Sequence, residues 1–545
     1  MATLKEWLRN KALSFLGLSQ YEGTPGDDKL TFINDADSIV KMKVREYNIW
    51  YAGDGDELLN FYTRQNTIDY WYEPWYWRNK KSYFWAVGST EEDIKRTHSG
   101  QPRNIVDTLV AVIGKPDIQA GSAEIGQNNE INSSVDKIIT ENKFWNLYNQ
   151  KQMPLTLVEG WGCYKIDWDR QLSDTPIILY YKAEQVDFVI KSGKVIGVIF
   201  KDYYTDGKNK KYLITETRRI ESHRNEEDKL IRSLYIEKEA FEVTGEDDYV
   251  KPVKIHDIPQ FNDIEDKLVI EDFDKLFATP CIFYEDTNTD AYGRSIFTGK
   301  IDLFDDLDQC LSQAANAVRR STPVEYIDTN YLERDRKTGM PIQPKAFDRK
   351  FAMIAGAKGA DGVATTGHAV EVTQPEIDFK QYSDQAIDIL MQIVNGLMSP
   401  ATLGIDISKR DNAEAQREKE KVTIFTRNML VDAETNILKD LFSQALCAYE
   451  LMNTGRITVK NYDMSINFSE FADDSFENKL TTLGDAYNKG VISTKMFLSK
   501  LYGHELSQSD YDNEKDYLEK KQQEQAFNPF TDGVNNEENE QEPFN

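Results

Sequence analysis

Two stretches with apolar residues three or four positions apart bracket a short turn-rich region. The first predicts an amphipathic helix of about five turns, which Pro323 ends. Its apolar positions are Phe304, Leu307, Leu311, Ala314 and Val318. The second begins after Pro375 and stops at Ser399-Pro400. Its apolar positions are Tyr382, Ala386, Ile389, Ile393 and Leu397.

Helical patterns also occur elsewhere in the chain. A long helix is predicted from about Ala413 to Met452, because its charged opening leads into apolar residues at helical spacing and Gly455 follows it. Leu4, Leu8, Ala12 and Phe15 favour an amphipathic N-terminal helix over a signal peptide. The other predicted helices are Asp56–Thr63, Gln101–Gly114, Phe476–Asn488 and Ser493–Leu501.

Residues 177–290 are predicted to be rich in β-strands. Lys191-Ser-Gly-Lys and Asp206-Gly-Lys-Asn supply hairpin turns. The strand-like runs are Pro176–Tyr181, Asp187–Ile190, Val195–Phe200, Tyr212–Glu216 and, later in the chain, Ile457–Phe468. Residues 321–375 contain four prolines and the run AGAKGADG, which indicates a small, exposed and strand-poor region. The fold class expected from these patterns is α+β.

A dense aromatic run precedes the helix that begins at Gln101. It comprises Tyr70, Trp71, Tyr72, Trp75, Tyr76 and Trp77, followed by Phe84 and Trp85. One interpretation is a stacking platform for bases or sugars. The other is a surface packed against a neighbouring domain or subunit. Packing is preferred, because only Arg78, Lys80 and Lys81 supply positive charge nearby.

Composition excludes several classes of protein. The chain has 545 residues and a formal net charge of −27, which disfavours a protein that grips nucleic acid tightly and non-specifically. Its 40% hydrophobic and 12% aromatic content is enough for folded domains, of which the length predicts about three or four. Four scattered cysteines give no disulfide framework and indicate a reducing compartment. No apolar run is long enough to cross a membrane.

No pattern specifies an enzyme, a cofactor or a metal site. The four aspartates in the first long amphipathic stretch are expected to form a solvated helix face. They are Asp302, Asp305, Asp306 and Asp308. The run that begins at Asp286 resembles a calcium loop, but Ala291 and Phe297 stand where that loop needs Gly and Glu. The chain also lacks the motifs of a phosphate-binding loop and a serine hydrolase elbow.

Four segments, in this order, resemble the portal proteins of tailed bacteriophages. IKRTHSGQPRNIVDTLVAVIGKPDI (94–118) is similar to the wing of that family, and YGRSIFTGKIDLFDDLDQCLS (292–312) to the start of its first stem helix. LMSPATLGIDISKRDNAEAQREKEKVT (397–423) is similar to its tunnel loop and long kinked helix. GVISTKMFLSKLYG (490–503) is similar to its crown helices. The resemblance spans roughly residues 40–520.

The resemblance implies a homo-oligomeric ring, twelve subunits in that family, at one vertex of the capsid. Double-stranded DNA would pass through its channel during packaging and ejection. The implied partners are the terminase large subunit, a head-completion (adaptor) protein, and the major capsid and scaffolding proteins. The protein would be a component of the virion, assembled in the cytoplasm of the host bacterium, with no membrane partner and no enzymatic activity.

Carried over by position, the resemblance divides the chain into wing, stem, clip and crown. The expected boundaries are wing 1–297, stem helix 298–320, clip 321–375, stem helix 376–399, tunnel loop 400–411, long helix and return strand 412–472, crown 473–525, and a disordered acidic tail 526–545. The stem would use Phe304, Leu307, Leu311, Tyr382, Ile389 and Ile393. The docking surface of the clip would use Arg334, Arg336, Lys337, Lys345, Arg349 and Lys350.

The predicted tunnel loop carries Asp406, Lys409, Arg410 and Asp411, so two basic residues balance two acidic ones. Lys409 and Arg410 either face the duplex or form salt bridges within the ring.

The net charge of the chain is concentrated in two regions. Residues 221–290 have a net charge of −12 and residues 469–545 a net charge of −10, which together make −22 of the −27. The clip and residues 400–421 are each neutral in sum. This distribution is typical of a conduit that lets DNA slide.

The alternatives to a portal protein are a capsid or tail-adaptor protein and, less favoured, a nucleic-acid-processing enzyme such as a nuclease.

Overall fold

The structure is a computed structural model. The residues that it describes are 36–67, 80–86, 94–121, 129–207, 209–224, 230–244, 249–261, 265–286, 292–321, 324–328, 332–342, 350–354, 370–373, 379–404 and 413–469, with residues 483, 484, 487 and 497. The chain divides into two compact units, Met1–Asn467 and Phe468–Asn545. The predicted N-terminal helix, the aromatic run before residue 80 and the acidic tail lie outside the described residues.

Helices and strands alternate through the first unit, so the α+β prediction is confirmed. The helices are α1 (Ala36–Ala52), α2 (Gly55–Thr67), α3 (Gln101–Ile113), α4 (Asn129–Glu141), α5 (Phe144–Leu147), α6 (Met153–Glu159), α7 (Ile301–Arg320), α8 (Phe379–Val394) and α9 (Ala413–Thr454). A π-helical turn, Tyr148–Gln152, joins α5 to α6.

The strands of the described residues form four sheets. They are β1 (Pro116–Ala120), β2 (Trp161–Asp167), β3 (Ile177–Lys182), β4 (Val186–Lys191), β5 (Lys194–Thr205), β6 (Lys211–Arg224), β7 (Leu230–Thr244), β8 (Tyr249–Val253), β9 (Lys267–Ile270), β10 (Ala278–Ile282), β11 (Val324–Asp328), β12 (Lys350–Ile354), β13 (Val370–Thr373) and β14 (Met464–Phe468). Strands β4 to β8 form one antiparallel sheet in sequence order, with β9 also pairing β7. The other sheets have the orders β10-β2-β3, β12-β11-β13 and β1-β14.

The hairpin between β4 and β5 has the turn that the sequence predicts. Ser192 and Gly193 have φ values of 52° and 72°, and Lys191 pairs with Lys194 across them. Two successive positive φ values give the twist that suits a two-residue hairpin. All four strands predicted between residues 176 and 216 are present, and the structure extends β5 and β6 further than the apolar pattern does.

The core of the first unit lies where α9 crosses the β10-β2-β3 sheet. Leu438, Leu441 and Phe442 of α9 are buried, and the ring of Phe442 meets that of Phe144 edge to face at 5.0 Å. Every residue of β2 except Asp167 is buried. The prediction of one long helix is confirmed, and it ends just before Gly455, whose φ is 72°.

A charged cluster lies within this core, between β2 and β6. We call Lys165, Asp167, Glu216 and Arg218 the Arg218 cluster. The Arg218 guanidinium donates to Glu216 at 2.7 Å, to the carbonyls of Ile166 and Phe277 at 2.8 and 2.6 Å, and to Asp167. Lys165 Nζ lies 2.9 Å from both acids. The cluster thereby ties the six-stranded sheet to the β10-β2-β3 sheet.

A close backbone contact fixes the segment that leads into α7. A Cβ at Gly293 would lie 2.1 Å from the carbonyl oxygen of Gly160, and Gly160 itself has a φ of +93°. Ile296 N–H also donates to the carbonyl of Leu157 at 3.0 Å. A residue with a side chain would separate these two segments, so both glycines are required for the close approach.

Helices α7 and α8 pack side by side and run antiparallel. Lys300 Nζ donates to the carbonyl of Asn395 at 3.2 Å, and Cys310 lies 3.5 Å from the carbonyl of Tyr382. Between them in sequence lies the β12-β11-β13 sheet, in which β11 is parallel to β12 and antiparallel to β13. The prediction that residues 321–375 are strand-poor is therefore wrong. Their strands are only four or five residues long, which is why the prolines and glycines dominated the pattern.

Several other predictions differ from the structure. The sequence did not reveal α1, α4 or β2, and β10 lies in the region predicted to be rich in β-strands although no run was assigned to it. The run predicted as a strand from Ile457 is a strand only from Met464. In the second unit, residues 483, 484, 487 and 497 are helical and the rings of Tyr487 and Phe497 stack at 5.2 Å, but the other residues of the predicted helix pair lie outside the described residues.

Candidate functional site: an acidic ladder on α7

Polar side chains follow one flank of α7 beside its apolar stripe. Ile301, Phe304 and Leu307 are buried on the stripe. Asp302, Asp305 and Asp308 directly follow these three residues in sequence. Ser312, which follows Leu311, completes the series. We call Asp302, Asp305, Asp308 and Ser312 the acidic ladder. Because the ladder repeats the spacing of the stripe one residue on, it lies at the edge of the buried helix face.

The ladder binds two segments that are distant in sequence, residues 80–86 and 94–100. Asp305 accepts the backbone N–H groups of Phe84, at 2.7 Å, and Trp85, at 3.3 Å. Tyr83 OH donates to Asp302. These contacts join residues about 220 positions apart in sequence. The backbone N–H groups of the segment are bonded to a side-chain carboxylate and not to a neighbouring strand.

Asp308 is the most heavily bonded member of the ladder. Its Oδ2 accepts the indole N–H of Trp85 at 3.1 Å and lies 2.7 Å from Nδ1 of His98. Its Oδ1 accepts the backbone N–H of Ser99 at 2.8 Å. A carboxylate offers two acceptor oxygens, whereas an amide of the same shape offers one and turns an N–H donor towards the other partners. Ser312 Oγ accepts the N–H of Thr97 at 2.9 Å.

Asp305 and Asp308 are 4% and 0% exposed, whereas Asp302 and Asp306 are exposed. The prediction of a solvated face is therefore wrong for Asp305 and Asp308 and correct for the other two. Burial raises the pKa of Asp305 to about 7. The N–H groups of Phe84 and Trp85 oppose that rise, and the negative charges of Asp308 and Asp306 add to it.

The apolar side of the ladder is an aromatic cluster. Phe304 contacts Trp50 of α1 at a ring separation of 5.8 Å and Phe297 at 5.2 Å. Trp50 is fully buried, and its indole N–H donates to Tyr62 OH at 2.8 Å. Tyr62 OH donates in turn to the buried carboxylate of Glu46, which is ion-paired with Lys80.

Trp85 belongs to this same packed region. It is 2% exposed, and the guanidinium of Arg96 lies 6.0 Å from its ring and 5.2 Å from that of Phe84. Trp85 is therefore packed within its own unit and is not an exposed stacking platform; packing against a neighbouring domain or subunit stays a prediction. The residues from Tyr70 to Trp77 lie outside the described residues.

The residues assigned to the stem lie in the α7–α8 pair. Phe304, Leu307, Ile389 and Ile393 are buried, and Leu311 and Tyr382 are half-buried. Helix α8 also exposes apolar residues away from Ile389 and Ile393. On α8, Phe379, Ile387 and Met391 are 58%, 39% and 43% exposed. We call these three the α8 stripe.

The first half of α9 has a similar exposed stripe. Val422, Phe425 and Met429 are 45%, 67% and 43% exposed and recur at helical spacing. We call these three the α9 stripe. On the other side of the helix Thr423 and Leu430 are buried. Thr423 Oγ1 accepts the N–H of Ser399 at 2.8 Å, which attaches α9 to the segment that follows α8.

The residues assigned to docking are only partly described. Arg334, Arg336 and Lys337 are exposed on a tight turn, in which Lys337 N–H donates to Asp335 at 2.7 Å and Gly339 has a φ of 72°. Lys350 begins β12, and its side chain is not described; Lys345 and Arg349 lie outside the described residues. The four residues assigned to DNA contact, Asp406, Lys409, Arg410 and Asp411, also lie outside them.

Within the described residues, no group of three or more His, Cys, Asp or Glu side chains is placed to hold a metal ion. The described helices include none that is both long and apolar enough to span a bilayer. The four cysteines are buried free thiols.

No protein-family model and no curated protein matches the chain. Among solved structures, a chain in "Neck of empty GTA particle computed with C6 symmetry" matches with a TM-score of 0.35 and 13% sequence identity. The match covers 74% of this chain and 90% of that one. A likeness at this level supports no inference about fold or function.

Proposed function

We propose that the chain is a portal protein, the subunit of a ring that forms a channel for double-stranded DNA at one capsid vertex. The observation that carries the proposal is an arrangement that the family resemblance implies. Two antiparallel helices, α7 and α8, bracket a small sheet in sequence and are followed by the 42-residue α9. The exposed basic turn at 334–337 lies in the region assigned to docking of the motor and the adaptor protein.

The exposed apolar stripes support assembly into a ring. A closed ring needs heterologous interfaces, in which one surface of a subunit contacts a different surface of the next. The α8 stripe and the α9 stripe are two such surfaces, since each exposes three apolar residues at helical spacing. Fully burying an exposed apolar side chain of this size contributes roughly 1.5–3 kcal/mol, and because these side chains are already about half buried, each contributes roughly half of that. Repetition around a ring multiplies the effect.

The chain has no catalytic role in this proposal. The buried acids of α7 are bonded to backbone and side-chain donors of the same chain, so they serve to hold the helix in place. The acidic excess of the chain disfavours tight gripping of DNA, as a channel requires.

Electron microscopy of the purified chain tests the proposal directly. We expect rings with a central channel, and a chain that stays monomeric or forms a sheet would contradict it. Phe425→Asp should prevent ring formation, because it places a charge in the centre of the α9 stripe. Lys439→Asp, at an exposed position on the same helix, is the matched control and should leave the rings intact. A nuclease assay with divalent metal should show no cleavage of DNA.

A further inference from the structure

After α9 ends, residues 455–463 return along its last turns, and we call them the strap. The strap contacts Glu450, Cys447 and Ser443 of the helix in that order, so it runs antiparallel to α9. Seven of its nine residues are exposed. Few buried apolar side chains therefore hold the strap, and its position depends on polar bonds.

The carboxylate of Glu450 accepts four hydrogen bonds from the strap. Its Oε1 accepts the backbone N–H of Thr458 at 3.1 Å and the hydroxyl of the same residue. Its Oε2 accepts the backbone N–H of Val459 at 3.3 Å and the hydroxyl of Tyr462 at 3.3 Å. Both oxygens thus serve as acceptors, an arrangement that favours the ionised acid. Hydrogen bonds to an ionised acceptor are also stronger than those between neutral groups.

A second group of bonds holds the far end of the strap. Ser443 Oγ accepts the backbone N–H of Tyr462 at 3.0 Å and the ammonium of Lys275, from the segment before β10, at 3.0 Å. Next along the chain, the carbonyl of Asp463 accepts the N–H of Gly121 at 2.9 Å, directly before β14 begins. The strap therefore fixes where β14 begins, and β14 leads the chain into the second unit.

We propose that Glu450 is a positioning residue: its ionised carboxylate holds the strap against α9, and loss of its charge releases the strap locally. The proposal concerns contacts within the first unit, so it goes beyond the proposed function and does not depend on it. The titratable and charged groups around Glu450 come from α9, from the strap and from residues 271–277. They are Cys447, Asp440, Tyr462, Lys460, Lys275 and Asp272.

The hydrogen bonds to Glu450 also set the sign of its pH dependence. Burial tends to raise the pKa of Glu450, but the donors of Thr458, Val459 and Tyr462 outweigh burial and lower the pKa from its ordinary value of 4.5. When the strap is released, the carboxyl enters water and its pKa returns towards that value. The hold is therefore fully present above pH 4.5 and is lost as the pH falls through the lowered pKa.

Hydrogen–deuterium exchange of the full-length chain measures release of the strap. The readout is the protection of peptides that contain Thr458 and Val459, and peptides from residues 438–448 of α9 are the internal reference. In Glu450→Gln the amide offers one acceptor oxygen and turns an N–H group towards the other donors. We expect protection of the strap at pH 7 to fall by about tenfold to a hundredfold, with the reference peptides unchanged.

Asp272→Asn is the matched control, because Asp272 also bonds the strap. Its side chain is 67% exposed, and its carboxylate lies 2.7 Å from Nζ of Lys460. An exposed ion pair of this kind contributes little, so the protection of Thr458 and Val459 should fall by no more than about threefold.

The pH profile provides a readout that a contact without a titrating group would not change. After correction for the intrinsic pH dependence of exchange, wild-type protection of the strap should stay level from pH 6 down to about pH 4.5. Below that it should fall by up to about tenfold for each pH unit, and Glu450→Gln should lack this fall.

Four results would each overturn the proposal. They are wild-type protection of the strap in Glu450→Gln, equal losses in Glu450→Gln and Asp272→Asn, an equal loss in the reference peptides, and an acid profile that is flat in wild type or the same in both chains. The wild-type profile tests the proposal even without a folded variant. Ring formation is scored separately by microscopy, so failure of the strap proposal leaves the portal proposal standing, and the reverse also holds.

Discussion

Two groups of buried acids in the first unit behave in opposite ways. In the Arg218 cluster, burial alone would raise the pKa of Glu216, but Arg218 and Lys165 outweigh it and lower the pKa to about 2. On the ladder, burial raises the pKa of Asp305 to about 7, since its bonded donors are neutral N–H groups. The comparison teaches that burial alone does not decide the charge of an acid; the presence of a compensating cation does.

Glu434 on α9 is a third buried acid, and its pKa is raised, as that of Asp305 on the ladder is. It is fully buried, and burial raises its pKa to about 8, while a hydrogen bond from Gln152 at 3.0 Å opposes that rise. Glu434 Oε1 and Gln152 Oε1 each lack a hydrogen-bond donor. Burial beside one uncharged donor disfavours the carboxylate, so the neutral acid suits this site better.

The largest expected effect comes from removing the cation of the compensated cluster. Arg218→Met removes the guanidinium and leaves the buried Glu216 and the half-buried Asp167 with Lys165 as the remaining cation of the cluster. We expect the free energy of unfolding, measured by urea denaturation, to fall by about 3–5 kcal/mol.

Arg232→Met is the matched control for that change. Arg232 lies on β7 and is 59% exposed, with Asp274 at 3.7 Å. Loss of an exposed ion pair of this kind should cost less than about 1 kcal/mol. Equal effects of the two substitutions would show that the Arg218 cluster contributes no more than a surface ion pair.

The next prediction concerns Glu434. In contrast to Arg218→Met, substitution of Glu434 is expected to increase the free energy of unfolding at alkaline pH. Its pKa is about 8 in the folded chain and near the ordinary value of 4.5 when unfolded. The folded state therefore binds the proton more tightly, and the wild-type chain loses about 1.4 kcal/mol of stability for each pH unit between 4.5 and 8 on account of this group. Glu434→Gln should lack that loss and be the more stable chain at pH 8. Urea denaturation of both chains over this pH range measures the difference, and parallel pH profiles would contradict the assignment.

Glu216→Gln tests the compensated side of the comparison. The folded pKa of Glu216, about 2, lies below its ordinary value of 4.5. Its contribution to stability is therefore present above pH 4.5 and disappears as the pH falls towards 2. We expect the variant to be about 3 kcal/mol less stable than wild type at neutral pH and the difference to shrink below pH 4.5. Denaturation curves at neutral and acid pH provide the measurement, and a difference that does not change with pH would exclude charge compensation as its origin.

The sequence predicted the helices of this fold better than its buried charges. The apolar stripe of α7 and the length of α9 followed from periodicity, because one side of each helix packs against the body of the protein. The aspartates of the ladder were predicted to be solvated because no second helix offered an evident partner, and acids are rarely buried without one. Their partners lie 209 to 223 residues earlier in the chain, which no local pattern reveals.

One local signal for the ladder was nevertheless present. Asp305, Asp308 and Ser312 repeat the spacing of Phe304, Leu307 and Leu311 one residue later, so they had to lie on the flank of the buried face. The Arg218 cluster gave no such signal. In β2, Lys165 and Asp167 alternate with Tyr164 and Ile166, a pattern that predicts a solvent-exposed face, and in β6 Arg218 stands between Thr217 and Arg219 in a polar run.

The smallest expected effect separates hydrogen bonding from packing on the ladder. Trp85→Phe removes the indole N–H that donates to Asp308 at 3.1 Å but keeps an aromatic ring in the same place. A hydrogen bond to a charged acceptor contributes about 1.5–3 kcal/mol, and the smaller ring also leaves space beside Gly55. Because His98 and Ser99 still bond Asp308, we expect a loss of only about 1–2 kcal/mol in the free energy of unfolding.

Trp145→Phe, at a half-buried tryptophan on α5, is the control. It measures the stability lost with the smaller ring at a site where Asp308 is not the partner. If both variants lose the same stability, Trp85 holds the ladder by packing alone, and the contrast between the two groups of acids then depends on His98 and the backbone N–H groups.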